Sequence, residues 1–288
     1  MKSCLITLAT CLVFNYTFAQ ELPARWDELV ASDFPAALQK SSRTCILPIG
    51  ILEKHGLHSP LGTDLIHVRE WAARAVKSEY AVVFPDYFYG QINEARHQPG
   101  TFSLPNKLIL ELLEATCDEI ARNGFDKIII LNGHGGNPEF LEFFMQGLLN
   151  KRHNYAVYLY RPETDPEFLK EYQKRHTTDA KTDLHGGESE TAILLHYRPD
   201  LMRMPRASGE NGENQQRSSL PGLYTPIWWY SSYPNHYAGD ASKSTAGFGK
   251  FISDYEIAQF IKALKTVKAD TKTIELQNEF FDRVDKLK

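Results

Sequence analysis

The chain has 288 residues, of which 42% are hydrophobic and 24% charged, with a formal net charge of −4 at neutral pH. That length and apolar content suffice for one large core or two small ones and argue against a disordered chain. The mild negative charge, with no basic stripe interleaved with aromatics, excludes the usual nucleic-acid-binding pattern.

In chain order, Lys2 precedes an apolar run from Cys4 to Val13, and small Ala19 stands before Gln20. This is the layout of a secretory signal peptide, residues 1–19, cut after Ala19. It predicts a secreted or periplasmic protein whose remainder, 20–288, forms a single domain. Cys11 lies inside the apolar run rather than after it, which argues against a lipoprotein anchor. No later segment has the apolar length that spans a bilayer. Cys45 and Cys117 each lie on an apolar run beyond the signal, and they read as two buried thiols rather than a disulfide framework.

The run "TCILPIGI" (44–51) predicts a buried strand, and 63–76 an amphipathic helix. Residues 80–90 predict a second strand running into a loop, and 105–123 a helix with Leu108, Leu112, Leu113 and Ile120 on one side. "KIIILN" (127–132) is the clearest strand, followed by a helix that Asn137 caps with Pro138 in its first turn. A fourth strand is predicted over 155–160, with two helical stretches after it. From 200 to 250 the pattern lapses into Pro, Gly, Ser and aromatics, which suits a lid or an oligomer contact. Trp228, Trp229 and Tyr230 then serve as pocket wall or as contact. A polar amphipathic helix over 253–285 closes the chain. Such alternation predicts an α/β layered domain with a mainly parallel sheet, whose chemistry gathers beyond the carboxyl ends of the strands.

Three polar clusters follow the predicted strands. In "EKHGLHSPLGTD" (53–64), Glu53 and His55 project to one side of an extended chain, and Gly56, Pro60 and Gly62 allow it to fold back and bring Asp64 to the same place. Carboxylate and imidazole groups that converge in this way can ligate a divalent ion. Singly, each has a plainer explanation: Asp64 in a first turn is favoured by the helix dipole alone. In "NGHGGN" (132–137), His134 joins them from a second strand end, and the N–H groups of Gly135 and Gly136 suit a developing oxyanion. The alternative there is a glycine-rich turn with an exposed histidine. In "DLHGGESETA" (183–192), Glu188 and Glu190 diverge by about 200° on a helix, so both do not reach one site, and a solvated role is expected for Glu188.

With these clusters assembled, the sequence resembles the creatininase (creatinine amidohydrolase) family. The resemblance rests on "PIGILEKHGLHSPLGTD", "HQPGTFSL" (97–104), "NGHGGN", "HGGESET" and "AGDASKSTAGFGK" (238–250), in that order over nearly the whole chain. It implies a three-layer α/β/α sandwich, often hexameric, with two divalent metal ions (Zn, Mn or Fe) that hold a bridging water and hydrolyse a C–N bond of a small amide. Glu53, His55, Asp64 and His134 become metal ligands, with Asp64 bridging, and His58 becomes their support. Glu190 supplies a further carboxylate, and His185 delivers the proton to the leaving nitrogen. Creatininase proper carries a glutamate where this chain has Gly136, and Trp, Asp and Glu where it has Lys181, Thr182 and Leu184. These departures set the chain apart from enzymes for creatinine itself. Two further readings follow: a deformylase or other amidase on the same scaffold, and an exported metal- or ligand-binding protein without turnover.

Overall fold

The structure is a computed structural model that describes residues 21–163 and 165–287; the predicted signal peptide and its cleavage point lie outside the described residues. Four strands, β1 (Thr44–Ile49), β2 (Val82–Val83), β3 (Lys127–Asn132) and β4 (Ala156–Leu159), form a parallel sheet in the order β2-β1-β3-β4. The helices are α1 (Phe34–Lys40), α2 (Thr63–Ala75), α3 (Asn106–Arg122), α4 (Pro138–Gly147), α5 (Pro166–Arg175), α6 (Glu188–Tyr197), α7 (Trp228–Ser232), α8 (Ala246–Ala269) and α9 (Lys272–Asp285).

Strand periodicity divides the core into two layers. Cys45, Leu47, Ile49, Ile128 and Ile130 face α1, α3 and α4, packing with Ala37, Leu113, Ile120 and Phe144. Ile46, Ile129 and Leu131 point to the opposite face, against Val68 and Trp71 of α2 and Phe260 and Leu264 of α8. Both faces of the sheet are covered, which is why β1 and β3 are apolar without alternation. Each wholly buried isoleucine or leucine here contributes about 1.5–3 kcal/mol relative to an exposed one. Helices on both faces of a parallel sheet give the α/β/α layering expected.

Two elements differ from expectation. The strand predicted over 80–90 pairs continuously with β1 only at Val82 and Val83, because Pro85 follows; beyond it the chain meets β1 once more, at a lone parallel bridge between Tyr87 and Ile49. The closing helix begins earlier, at Ala246, where Thr245 accepts from the Phe248 N–H. It also breaks in two at Asp270, whose carboxylate accepts from the backbone N–H of Lys272 and Thr273 and from the Tyr158 hydroxyl at 2.8 Å. A carboxylate spent on the N–H groups of the next turn starts a new helix rather than extending the old one. The 200–250 segment is ordered around two single-turn helices and α7. Cys45 and Cys117 are buried free thiols, as expected. No helix among the described residues is long and apolar enough to cross a membrane.

Candidate metal centre

Ile49 and Asn132 are partners in the β1–β3 register, so the chain leaves both strands at one edge. The next residue is glycine in each case, and α2 lies directly over both. A Cβ at Gly50 would stand 2.4 Å from Leu65 Cα, and one at Gly133 would stand 2.9 Å from the Asp64 carbonyl oxygen. Two bare backbone positions thus let the first turn of α2 seat on the strand ends and deliver Asp64. The Asp64 side chain does not cap its helix, which has no side-chain cap bond; it turns inward to two imidazoles.

His134 Nε2 donates to the Gln91 carbonyl at 2.9 Å. In the neutral ring its other nitrogen is therefore bare, and that Nδ1 lies 2.9 Å from Glu53 Oε1 and 3.0 Å from Asp64 Oδ2. His55 repeats the pattern with its nitrogens exchanged: Nδ1 faces the Glu53 carbonyl at 3.4 Å, while Nε2 lies 3.0 Å from Asp64 Oδ1 and 3.6 Å from Glu190 Oε2. A ring nitrogen committed to a carbonyl fixes the tautomer and aims the other nitrogen's lone pair. Glu53 Oε1, Asp64 Oδ2 and His55 Nε2 are buried and make no hydrogen bond. Acceptors facing acceptors call for a cation between them.

The geometry defines two triads, Glu53–Asp64–His134 and His55–Asp64–Glu190, in each of which the ligand atoms lie within 4.8 Å of one another. Asp64 belongs to both, one oxygen to each. A third grouping, Glu53–His55–His185, overlaps them. Carboxylate and imidazole donors in threes fit divalent zinc, manganese or iron. Charge agrees with this. Burial works against an imidazolium at His55, yet Asp64, Glu190 and Glu53 outweigh it and bring the ring up to about 10. His134 is likewise held well above its ordinary value against burial by Glu53 and Asp64. Burial pushes Glu190 up to about 7, with His55 opposing. The three carboxylates thus draw positive charge into the site, which protons supply when metal does not.

The remaining expected residues fall as follows. His185 packs on His55, ring centroids 4.2 Å apart and tilted by 38°, with Nε2 donating to the Lys54 carbonyl at 2.8 Å and 3.6 Å from Glu53 Oε2. Burial, reinforced by His55 and His236 and opposed by Glu53, pushes it down to about 3, so the ring is neutral. Glu190 accepts the Gly186 N–H at 2.6 Å and reaches the centre. Glu188 does not reach it, but the solvated role expected for it is wrong. It is 1% exposed, and the N–H and hydroxyl groups of both Thr177 and Thr178 bind its carboxylate. Four local donors replace water, which a helix-start glutamate read from sequence does not reveal. His58 supports the site: its Nε2 donates to Thr191 Oγ1 at 2.8 Å, and that hydroxyl donates to the Gly186 carbonyl. Among the described residues no carbonyl accepts from Gly135 or Gly136. A Cβ at Gly136 would stand 2.5 Å from His134 Nε2 and 3.1 Å from Glu94 Oε1, so the position is filled by its neighbours.

A further residue, His236, touches the centre from outside the three sequence clusters. Trp229 Nε1 donates to His236 Nδ1 at 2.8 Å, which places the His236 proton on Nε2, and Nε2 donates to Glu53 Oε2 at 2.5 Å. Glu53 therefore has one oxygen held and the other, Oε1, left for the cluster. His236 is 2% exposed and sits at φ 52°. The motif "HQPGTFSL" anchors this segment, since His97 Nε2 and Gln98 Nε2 both donate to the Pro234 carbonyl, at 2.9 and 3.2 Å. A lone histidine in an aromatic loop carries no spacing signal. The only hint was the tryptophan seven residues before it.

A parallel α/β/α sandwich with paired carboxylate–imidazole triads at its strand ends is the arrangement of a metallohydrolase. The chain belongs to the creatininase family: the family model, described as creatinine amidohydrolase, matches residues 27–264. It is 32% identical over 162 residues to the mycofactocin precursor peptide peptidase of Mycolicibacterium smegmatis, covering 54% of this chain and 58% of that protein. It is 24% identical to the creatinine amidohydrolase of Pseudomonas putida over 62% of this chain and 74% of that one. The chain thus spans little more than half the length of the first of these relatives. Among solved structures, creatinine amidohydrolase (creatininase) superposes with a TM-score of 0.72 at 21% identity, covering 86% of this chain and 99% of the other. Further matching creatininase structures include a manganese form and a mutant of Zn–Zn type. The relatives are hydrolases and a peptidase, and this chain is a member of that hydrolase family.

Proposed function

We propose that the protein is a binuclear-metal amidohydrolase that cleaves a C–N bond of an amide. The observation that carries this reading is the pair of triads sharing Asp64, with unpartnered acceptors facing one another in a buried site. Divalent ions bound there would lower the pKa of a shared water and polarise an amide carbonyl. Glu53, Asp64 and His134 would hold one ion, and His55, Asp64 and Glu190 the other. His236 fixes Glu53 so that Oε1 alone points inward. The N–H groups of Gly135 and Gly136 stand ready for the carbonyl oxygen as it gains charge. His185, neutral and with Nε2 committed to Lys54, has Nδ1 to take the proton of the attacking water and pass it to the leaving nitrogen.

Gly136 and the absence of the Trp, Asp and Glu that precede this histidine in creatininase proper favour a substrate other than creatinine. The apolar run before Ala19 supports export to the periplasm or medium, testable by whether the exported protein begins at Gln20. Exposed Leu220, Leu223, Tyr224 and Trp228 support a homo-oligomer, testable by sedimentation. The catalytic reading is tested with a panel of cyclic ureas, lactams, formamides and short peptides in Mn²⁺ or Zn²⁺. Hydrolysis of at least one member that chelator abolishes and metal restores is expected. Activity indifferent to chelation would overturn the metal role, and no hydrolysis of any member would favour a binding protein.

A further inference from the structure

A cavity of about 730 Å³ adjoins the centre, with Glu190, His134 and Gly135 at one end. That lies within the range, roughly 300–1,000 Å³, of pockets that enclose whole drug-sized ligands, and gives far more room than one five-membered cyclic amide fills. Its walls away from the centre come from the segment after β4, from α5, and from the α8 turn that carries Tyr255 and Glu256.

Charge on those walls is one-sided. No lysine lines the cavity, and its guanidinium, Arg161, is paired with Glu142 at 2.9 Å. His67 is held by Glu256 at 2.9 Å. Asp165 caps α5 by accepting the N–H groups of Glu167 and Phe168, while Glu163 beside it makes no ion pair among the described residues. A carboxylate on the substrate would enter with every wall cation already neutralised. An ammonium or guanidinium group would meet Glu163 and Asp165, while Phe168 and Tyr255, whose rings stack on each other with centroids 3.7 Å apart at 8°, wall the apolar stem that carries it. Trp71 also lines the cavity and is 6% exposed.

We propose that this cavity holds the non-reacting part of the substrate, and that this part is an arm with an apolar stem ending in an ammonium or guanidinium group. The inference rests on the hydrolase reading only for which bond lies at the centre.

Calorimetric titration of the full-length protein, metal-free and zinc-loaded, tests it with three matched probes: Nα-acetyl-lysinamide, Nα-acetyl-norleucinamide and the α-amide of Nα-acetyl-glutamate. The lysine probe should bind roughly tenfold more tightly than norleucine at low salt, and the glutamate probe most weakly. Glu163→Gln should bring the lysine probe toward norleucine. Arg161→Gln, which leaves Glu142 without its partner, should tighten it, and the norleucine probe should change with neither. Equal binding of lysine and norleucine, or tightest binding of the glutamate probe, would overturn the assignment. The expected order without turnover by the zinc-loaded protein would sink the hydrolase reading and leave the cavity assigned. Turnover of neutral and anionic amides without that order would do the reverse.

Discussion

His236 Nε2 donates to Glu53 Oε2 across a sequence separation of 183 residues, and the Trp229 indole decides which nitrogen carries that proton. Glu53 is thereby held with a single oxygen facing His134 and Asp64. Replacing His236 by Asn tolerates the left-handed backbone but shortens the side chain away from the carboxylate. Affinity at the Glu53–Asp64–His134 site should fall on the order of 10–100-fold, while the His55–Asp64–Glu190 site keeps its ion. Metal content should drop from two ions per chain toward one at limiting metal, with unfolding of the metal-free protein little changed. Equal loss at both sites would show that His236 merely supports the fold.

Asp64 offers one oxygen to each triad, and Glu190 reaches only one. Asp64→Asn should therefore remove both ions, and Glu190→Gln one. Elemental analysis after dialysis against limiting metal reads the difference directly. Retention of two ions by the Asp64 variant would contradict the bridging role.

Gly133 leaves no room for a Cβ beneath Asp64 and Val68. Gly133→Ala should destabilise the protein by about 1–3 kcal/mol, as overpacking does. It should also weaken metal binding, because the strain is relieved by lifting the α2 turn that carries Asp64. Denaturant melts of the metal-free variant check the first effect, and chelator competition the second.

In the metal-free protein, folding raises His55 from 6.5 to about 10. A histidine raised on folding contributes stability that is fully present below pH 6.5 and lost as pH climbs through about 10. Glu190, pushed up to about 7 by burial, is disfavoured as a carboxylate in the fold and adds to the loss as pH rises above 4.5. Metal-free protein should thus lose stability on the alkaline side, and metal should remove most of that dependence while releasing protons on binding. Unfolding midpoints between pH 6 and 10, with and without Zn²⁺, check this. A flat metal-free profile would contradict it.

The layered fold was legible because the apolar runs at 44–49 and 127–132 are short, β-branched and bounded by turns, and because polar clusters follow each directly. Those clusters also hold Glu53, His55, Asp64 and His134, whose residue types and spacing suit a metal and whose side chains the fold brings together. Glu188 misled because four threonine donors that bury it lie outside its own helix, at Thr177 and Thr178. His236 was silent because its role depends on a loop path fixed by His97, Gln98 and Trp229, which no local periodicity encodes. The split at Asp270 was hidden by amphipathic spacing that runs on through both helices.

The central claim is that two ions flank Asp64. Anomalous scattering from crystals of the protein grown or soaked with Zn²⁺, measured at the zinc edge, tests it most directly. Two peaks are expected, one beside Glu53 and His134 and one beside His55 and Glu190, each in contact with a different oxygen of Asp64. A single peak between His55 and His185, or none within reach of Asp64 in crystals soaked with excess zinc, would contradict it.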